Sequence, residues 1–316
     1  MVTGIPASPP ANADQMGSRF IEAGLLTEAQ VAHVIALQTT ANIRFGEAAV
    51  QLGLLTEHDV QMVLSQQFNY ATAQAASDRL DKSLDIALAS FGMEAEAIRH
   101  IRAELSIRLG QQDKISLAIV SATEGEGKSY LAASLALAFS QMGKRTLLID
   151  ANMRAARQHV LFGLENKEGL STILAGRSAI SAGTQAEGFP HLHVLSAGPQ
   201  PPNPLEILLQ PALTHLMQQL SADFDVFIVD TPAAESSSDA QTIAQQVGMC
   251  LLVARQHYAK LSDLRRTEAQ MKTSGTQIIG TVYNAFTERT PLEQIEGKGK
   301  KLWHLLRTWL SNPTPH

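Results

Sequence analysis

One stretch of this 316-residue chain reads Ala122-Thr-Glu-Gly125-Glu126-Gly127-Lys128-Ser129. Glycines at 125 and 127 let backbone N–H groups approach an anion, and Lys128 can reach β- and γ-phosphates. The Ser129 hydroxyl can ligate Mg2+. Glu126 and Tyr130 complete the candidate nucleotide-binding segment, and Ala122 stands where the common pattern has its first glycine. The apolar run ISLAIVS precedes the loop and the helical period LAASLALAFSQMG follows it. That order places the loop at a helix N-terminus, whose dipole also favours an anion. A Gly-rich turn could carry the same letters, but the strand–loop–helix context confirms a P-loop. Two further acids end apolar runs: Asp150 closes RTLLID, and Asp230 closes DVFIVD ahead of Thr-Pro. An acid in such a place can hold Mg2+ or accept a proton, although a lone aspartate at a strand end is more often a turn residue. The candidate catalytic set is therefore Lys128, Asp150 and Asp230, and the candidate metal set is Ser129, Asp150 and Asp230.

These residues need elements to position them. Six apolar runs alternate with helical periods: 115–121, 145–150, 192–197, 225–230, 250–255 and 277–283. Interleaved strands and helices predict an α/β P-loop fold with a doubly wound, mostly parallel sheet, whose ligands sit at the C-terminal strand ends. Ahead of it lies an internal repeat. QMGSRFIEAGLLTEAQVAHVIALQ (15–38) aligns with RFGEAAVQLGLLTEHDVQMVLSQQ (44–67) across the spacer TTANI. Each copy reads as two short helices, the first stopped at Gly24 or Gly53 and the second started by a threonine N-cap. Two copies are needed to bury a face, so a small all-α repeat domain precedes the sheet. The expected organisation is a disordered 1–14, the repeat domain at 15–70, a linker at 71–90, the P-loop domain at 91–289 and a tail at 290–316. That tail carries Leu302, Leu305, Leu306 and Trp309 at helical spacing among Lys298, Lys300, Lys301 and Arg307. It reads as a basic amphipathic helix that lies on a membrane surface or packs on its own domain.

Composition bounds the rest. At 45% hydrophobic and 17% charged residues, wholesale disorder is excluded. A net charge of −5 excludes a global basic field for nucleic acid. One cysteine, Cys250, excludes an intrachain disulfide and reads as a small core residue. No run reaches the ~18 apolar residues of a membrane span, and the first residues lack a signal-peptide pattern. The expected location is cytoplasmic, with the tail able to hold the chain at the inner face of the cell membrane.

Several motifs together carry a resemblance. SATEGEGKS, LLIDANMR, IVDTPAAESSSDA, the proline-rich SAGPQPPNPLEIL and Glu96-Ala-Ile-Arg99-His-Ile-Arg102 spread over residues 94–284. They resemble the bacterial tyrosine kinases, the Walker-type autokinases of exopolysaccharide synthesis and export, in the EpsG-type chain-length-determinant branch. The resemblance implies ATP and Mg2+ as cofactors. It also implies a membrane polysaccharide co-polymerase of the chain-length-determinant (Wzz) type as partner, and a homo-oligomer joined through Glu96, Arg99 and Arg102. Partitioning ATPases of the ParA/MinD type share the implied fold but carry an early P-loop lysine where Thr123 stands. The repeat domain resembles the MshE-type N-terminal domain of type II secretion ATPases, which implies a cyclic di-GMP site. The matching positions are Gly17, Gly24, Leu25, Leu26, Arg44, Gly46, Gly53, Leu54 and Leu55. Gln15 stands where the first copy of that motif has arginine, so a helical docking module without nucleotide is the alternative.

Two departures narrow what the resemblance implies. The family's Asp-x-Asp is Asp150-x-Asn152 here, and an asparagine cannot accept a proton as a base. The family's tyrosine-rich tail has no counterpart in residues 290–316, and the chain's four tyrosines are Tyr70, Tyr130, Tyr258 and Tyr283. Tyr130 follows the P-loop and Tyr283 ends an expected core strand, so neither reads as a phosphate acceptor. The expected function is an ATP-dependent protein tyrosine kinase or ATPase that regulates exopolysaccharide chain length, polymerisation or export under cyclic di-GMP. The alternatives are a nucleotide-dependent, non-catalytic switch of a synthase complex and a MinD-type positioning ATPase.

Overall fold

The computed structural model describes residues 12–41, 43–56, 59, 60, 63, 79–88, 93–110 and 112–285. The chain divides into two compact units, 1–72 and 73–316. Among the described residues, no helix is long and apolar enough to cross a membrane. The basic tail at 290–316 lies outside them.

The first unit is built by repetition. A helix at Asn12–Glu22 ends at Gly24 (φ 69°), and the Phe45–Gln51 helix ends at Gly53 (φ 66°). The N–H groups of Leu25 and Leu26 both return to Phe20 O, at 2.9 and 3.2 Å. Those of Leu54 and Leu55 return to Ala49 O in the same way, at 3.0 and 3.3 Å. These bonds satisfy carbonyls that a helix C-terminus leaves unpaired. Thr27 and Gln30 then cap the Glu28–Ala41 helix reciprocally, as Thr56 and Asp59 do in the second copy. Gly17 and Gly46 sit against equivalent valines, because a Cβ on either would lie 2.6 Å from Val31 or Val60. Phe20 and Phe45 stack at 5.6 Å in the core, with Val34, Ala48 and Leu55 around them. The first helix starts at Asn12, inside the stretch read as disordered, and Met16 and Phe20 give it an apolar face to bury.

The second unit holds a seven-stranded sheet in the order β3-β4-β2-β5-β1-β6-β7. The strands are β1 (Ile115–Ser121), β2 (Thr146–Asp150), β3 (Thr184–Gln185), β4 (Leu192–Leu195), β5 (Val226–Asp230), β6 (Met249–Arg255) and β7 (Gln277–Asn284). All pairings are parallel except β3 with β4. This is the α/β P-loop fold that the alternating runs predicted. The two-residue β3 has no apolar run to announce it, and both of its residues are exposed. The Lys128–Gln141 helix is apolar on all sides and almost wholly buried. Burial pushes the free Cys250 thiol in β6 up to about 12, in keeping with a core residue.

Two details differ from the sequence reading. Residues 79–88, read as linker, pack into this unit: Leu80, Leu84, Ile86 and Ala87 are buried, and Gln141 Nε2 donates to Ile86 O at 3.2 Å. Tyr283 does not end a core strand, because β7 lies at the sheet edge and leaves the ring 39% exposed.

Candidate functional site

β1 delivers the chain into the loop 122–127, and the Lys128–Gln141 helix leaves it. Gly125 and Gly127 are left-handed (φ 74° and 96°), a conformation most side chains resist. Alternating handedness turns successive amides to one side. Among the described residues, the backbone N–H groups of Gly125, Glu126, Gly127, Lys128 and Ser129 donate to no protein acceptor. That is an anion-binding nest at a helix N-terminus. Lys128 is buried, with Nζ 2.8 Å from Ser121 Oγ and 3.4 Å from Thr123 O. Burial lowers its pKa, while the charges of Asp230, Glu126 and Glu124 work against that shift.

Glu126 has a different task from the one its position suggested. Its Oε1 accepts from Thr123 N–H (3.0 Å) and Thr123 Oγ1 (2.5 Å), so the side chain braces the loop while its N–H joins the nest. Tyr130 is half-buried in the first helical turn.

The sheet brings the two acids together. β2 and β5 are neighbours, and Asp150 is the register partner of Asp230. Both are fully buried. Asp150 accepts from the N–H groups of Asn152 (3.2 Å), Arg157 (2.9 Å) and Gln158 (2.9 Å). Burial first, and then the Asp230 charge, raise its pKa to about 7 against those hydrogen bonds. Burial also raises that of Asp230, opposed by the neighbouring Ser129 side chain, Gln158 and the Lys128 charge. Gln158 Nε2 donates to Asp230 Oδ2 at 2.8 Å and to Ser129 O at 3.0 Å, tying both acids to the start of the P-loop helix. Asp230 Oδ1 is buried without a hydrogen-bond partner. Asn152 is turned away from this work, because its Oδ1 caps Ala155 N–H at 3.1 Å.

On the other flank, β6 and β7 hold the loop from outside. Arg255 Nη1 donates to Gly125 O at 3.2 Å, and Asn284 Nδ2 donates to Glu126 O at 3.1 Å. Two consecutive carbonyls are thus drawn outward, which leaves the amides facing in. A Cβ at Gly127 would collide with Asn284 Nδ2.

Sequence reasoning missed Gln158, Arg255 and Asn284. Nothing in RQHV, VARQ or VYNA announces a site, because their roles arise only from which elements the fold sets side by side. It also missed Arg154, whose Nε pairs with buried Asp239 at 2.7 Å and anchors the loop after β2.

The remaining candidates lie elsewhere. Glu96, Arg99 and Arg102 share the Met93–Leu109 helix, but they are not one exposed face. Their spacing turns about 120° around the helix. Glu96 is exposed, whereas Arg99 is buried against Glu96 and Arg102 Nη1 reaches Ala138 O at 3.0 Å. In the first unit, Leu26 and Leu55 are core residues, Leu25 and Leu54 are half-buried, and Arg44 is exposed. Gly24 and Gly53 have open space where a side chain would stand.

A nest of free amides at a helix N-terminus, a buried lysine and paired strand-end acids define a P-loop NTPase. Residues 112–294 match the family described as NUBPL iron-transfer P-loop NTPase. YwqD of Bacillus subtilis, a tyrosine-protein kinase, is 34% identical over 192 residues, covering 61% of this chain and 81% of that protein. EpsB of Ralstonia solanacearum is 34% identical over 195 residues, covering 62% of this chain but only 26% of that protein. The kinase domain of the Escherichia coli tyrosine kinase ETK superposes with a TM-score of 0.62 at 29% identity, covering 66% of this chain and 82% of that one. The chain belongs to this P-loop NTPase family, among the bacterial tyrosine-protein kinases.

Proposed function

We propose that this chain binds ATP with Mg2+ and transfers the γ-phosphoryl group to protein tyrosine, in control of exopolysaccharide chain length, polymerisation or export. The observation that carries this reading is the pair Asp150–Asp230, held side by side and tied through Gln158 to the helix that leaves a nest of five free N–H groups. Two carboxylates and the Ser129 hydroxyl suit Mg2+, which takes few protein ligands and keeps waters and phosphate oxygens. The unpartnered Asp230 Oδ1 is a buried acceptor such a cation would satisfy. When bound, Mg2+ supplies charge neutralisation between the β- and γ-phosphates.

The chain's own residues do the rest. The nest orients the phosphates, and Lys128 adds charge where the γ-phosphate sits. Gln158 fixes Asp230 Oδ2, leaving Oδ1 for the cation. Asp150, beside Asp230 at the strand ends, is the carboxylate proposed to accept the tyrosyl proton. The proposed partner is a membrane polysaccharide co-polymerase, and the proposed assembly is a homo-oligomer around the Met93–Leu109 helix. The basic tail is proposed to hold the chain at the inner face of the membrane. The first unit is proposed to bind cyclic di-GMP through exposed Arg44 and the paired Gly/Leu turns, and so to modulate activity.

Labelled ATP with the purified chain tests the central claim. Phosphotyrosine that disappears in Lys128→Ala is the expected result. No ATP hydrolysis and no phosphotransfer, even with the cytoplasmic part of the partner present, would sink it. Calorimetry on the full chain and on Arg44→Ala tests the cyclic di-GMP claim, which an absence of heat at high ligand concentration retires.

A second reading, a nucleotide-dependent switch that phosphorylates nothing, draws on Asn152. Its side chain caps a turn and adds no acid to the site. Lys128-dependent phosphotyrosine on any protein counts against it.

A further inference from the structure

We propose that Tyr258 accepts phosphate from a second copy of this chain, and that the modified side chain loosens the P-loop by drawing Arg255 away from Gly125. The proposal rests on the phosphotransfer reading above and names a substrate site for it.

Tyr258 is the most exposed tyrosine among the described residues, at 53%, compared with 39% for Tyr283 on the β7 edge and a half-buried Tyr130. Among those residues its hydroxyl takes no hydrogen bond. It follows β6 on a tight turn, in which the N–H groups of Tyr258 and Ala259 both return to Arg255 O, at 3.2 and 2.9 Å. His257 in that turn is the one left-handed non-glycine among the described residues (φ 57°). Such a conformation persists only where the surroundings fix it, and it recurs at functional sites. Here the turn lays the tyrosine against the P-loop: a Cβ built on Gly125 would lie 3.7 Å from the Tyr258 hydroxyl.

Arg255 joins the two. Its Nη1 donates to Gly125 O at 3.2 Å, and its guanidinium lies 5.6 Å from the centre of the Tyr258 ring. A tyrosyl phosphate adds close to two negative charges and three strong acceptors. Guanidinium binds phosphate bidentately and far more strongly than it binds a neutral carbonyl. A phosphate on this hydroxyl therefore competes for Arg255, with Lys260 two residues further on adding positive charge. Losing Arg255 frees Gly125 O, one of the two carbonyls held outward to keep the amides facing the nucleotide. Exposed Glu124 on the loop adds like-charge repulsion.

Strand order argues against transfer within one copy. Asp150 and Asp230 end β2 and β5 on one side of β1, whereas Tyr258 follows β6 on the other. In the intermolecular step, the Tyr258 phenolic oxygen attacks the γ-phosphorus of ATP on the catalysing copy. A bond forms from that oxygen to phosphorus as the bond from phosphorus to the β–γ bridging oxygen breaks. ADP leaves with that electron pair, and the phenolic proton passes to a carboxylate of the catalysing copy.

The test incubates the full chain with Mg2+ and ATP, maps phosphate by mass spectrometry and measures ATP consumption in the same tube. The expected result is phosphate on Tyr258, and its transfer to a Lys128→Ala chain mixed with a Tyr258→Phe chain. The phosphorylated chain should bind nucleotide about tenfold more weakly, the cost of one charge-assisted hydrogen bond. Tyr258→Phe should bind as the unmodified chain does, and on an Arg255→Ala background most of the effect of phosphorylation on affinity should be lost. ATP consumed with Tyr258 unmodified overturns this proposal and leaves the kinase reading standing. No ATP consumption removes both. Phosphate on Tyr258 with unchanged affinity overturns the loosening.

Discussion

The two flanks of the P-loop do related work with opposite materials. Toward β2 and β5 the loop meets buried Asp150, Asp230 and Gln158, the backbone N–H of Gln158 donating to Asp150 and its side-chain amide to Asp230. Toward β6 and β7 it meets Arg255 and Asn284, which hold two carbonyls from the outside beside a half-exposed tyrosine. Charges on the buried flank are little screened, so changes there move chemistry and pKa strongly. The outer flank is in reach of water, so each of its contacts is worth less, and it is the flank a modification can reach. The site is thus buried on the side of its acids and open to water on the side where the loop is held.

Substitutions can break this contrast. Gly127→Ala strikes the loop and its outer flank together, since the residue is left-handed and its Cβ would meet Asn284. Nucleotide affinity should fall about 100-fold, measured by calorimetry, from strain and collision together. If affinity holds, the outer flank does not constrain the loop.

Gln158→Leu tests the buried flank alone. It removes the amide from Asp230 and leaves a buried oxygen unpaired, so the phosphotransfer rate should fall about 30-fold with a smaller change in nucleotide affinity. Gln158 shows how a site residue hides from sequence reading. Its neighbours form no motif, and it matters only because a short helix after β2 lands between two strand ends and the P-loop helix.

Asp150→Asn probes the electrostatics. Asp150 holds its proton more tightly in the folded chain, at about 7, than its ordinary value of 3.8. The native state therefore binds more protons across that window, and stability of the ligand-free protein should fall as pH rises from about 4 to about 7. Replacing the acid should flatten that slope, by on the order of 2 kcal/mol at pH 8, in denaturant titrations. An unchanged slope would mean that Asp150 is solvated and that the buried flank is not buried.

Asn284→Ala should do least. It deletes one hydrogen bond between partly exposed groups, so nucleotide affinity should weaken about fivefold with the maximal rate nearly unchanged. A loss as large as that of Gly127→Ala would erase the difference between the flanks.

Much of the molecule is legible in its sequence. The twin caps at Thr27 and Thr56, the twin stops at Gly24 and Gly53 and the P-loop itself depend on groups within about six residues of one another. Bonds of that range are written in the local order of residue types, so the sequence alone determined them. It also determined the six long strands, because a buried parallel strand needs an unbroken apolar run. It did not show which of Glu96, Arg99 and Arg102 stay exposed, since the helical period does not say which side a domain covers.

What only the tertiary structure decided is which strand ends stand next to each other. Asp150 meets Asp230 because β2 pairs with β5, and Arg255 and Asn284 meet the loop because β6 and β7 lie beyond β1. Lateral strand order is set by how crossover helices pack across the sheet, a sum over the whole core, which no short stretch of sequence records.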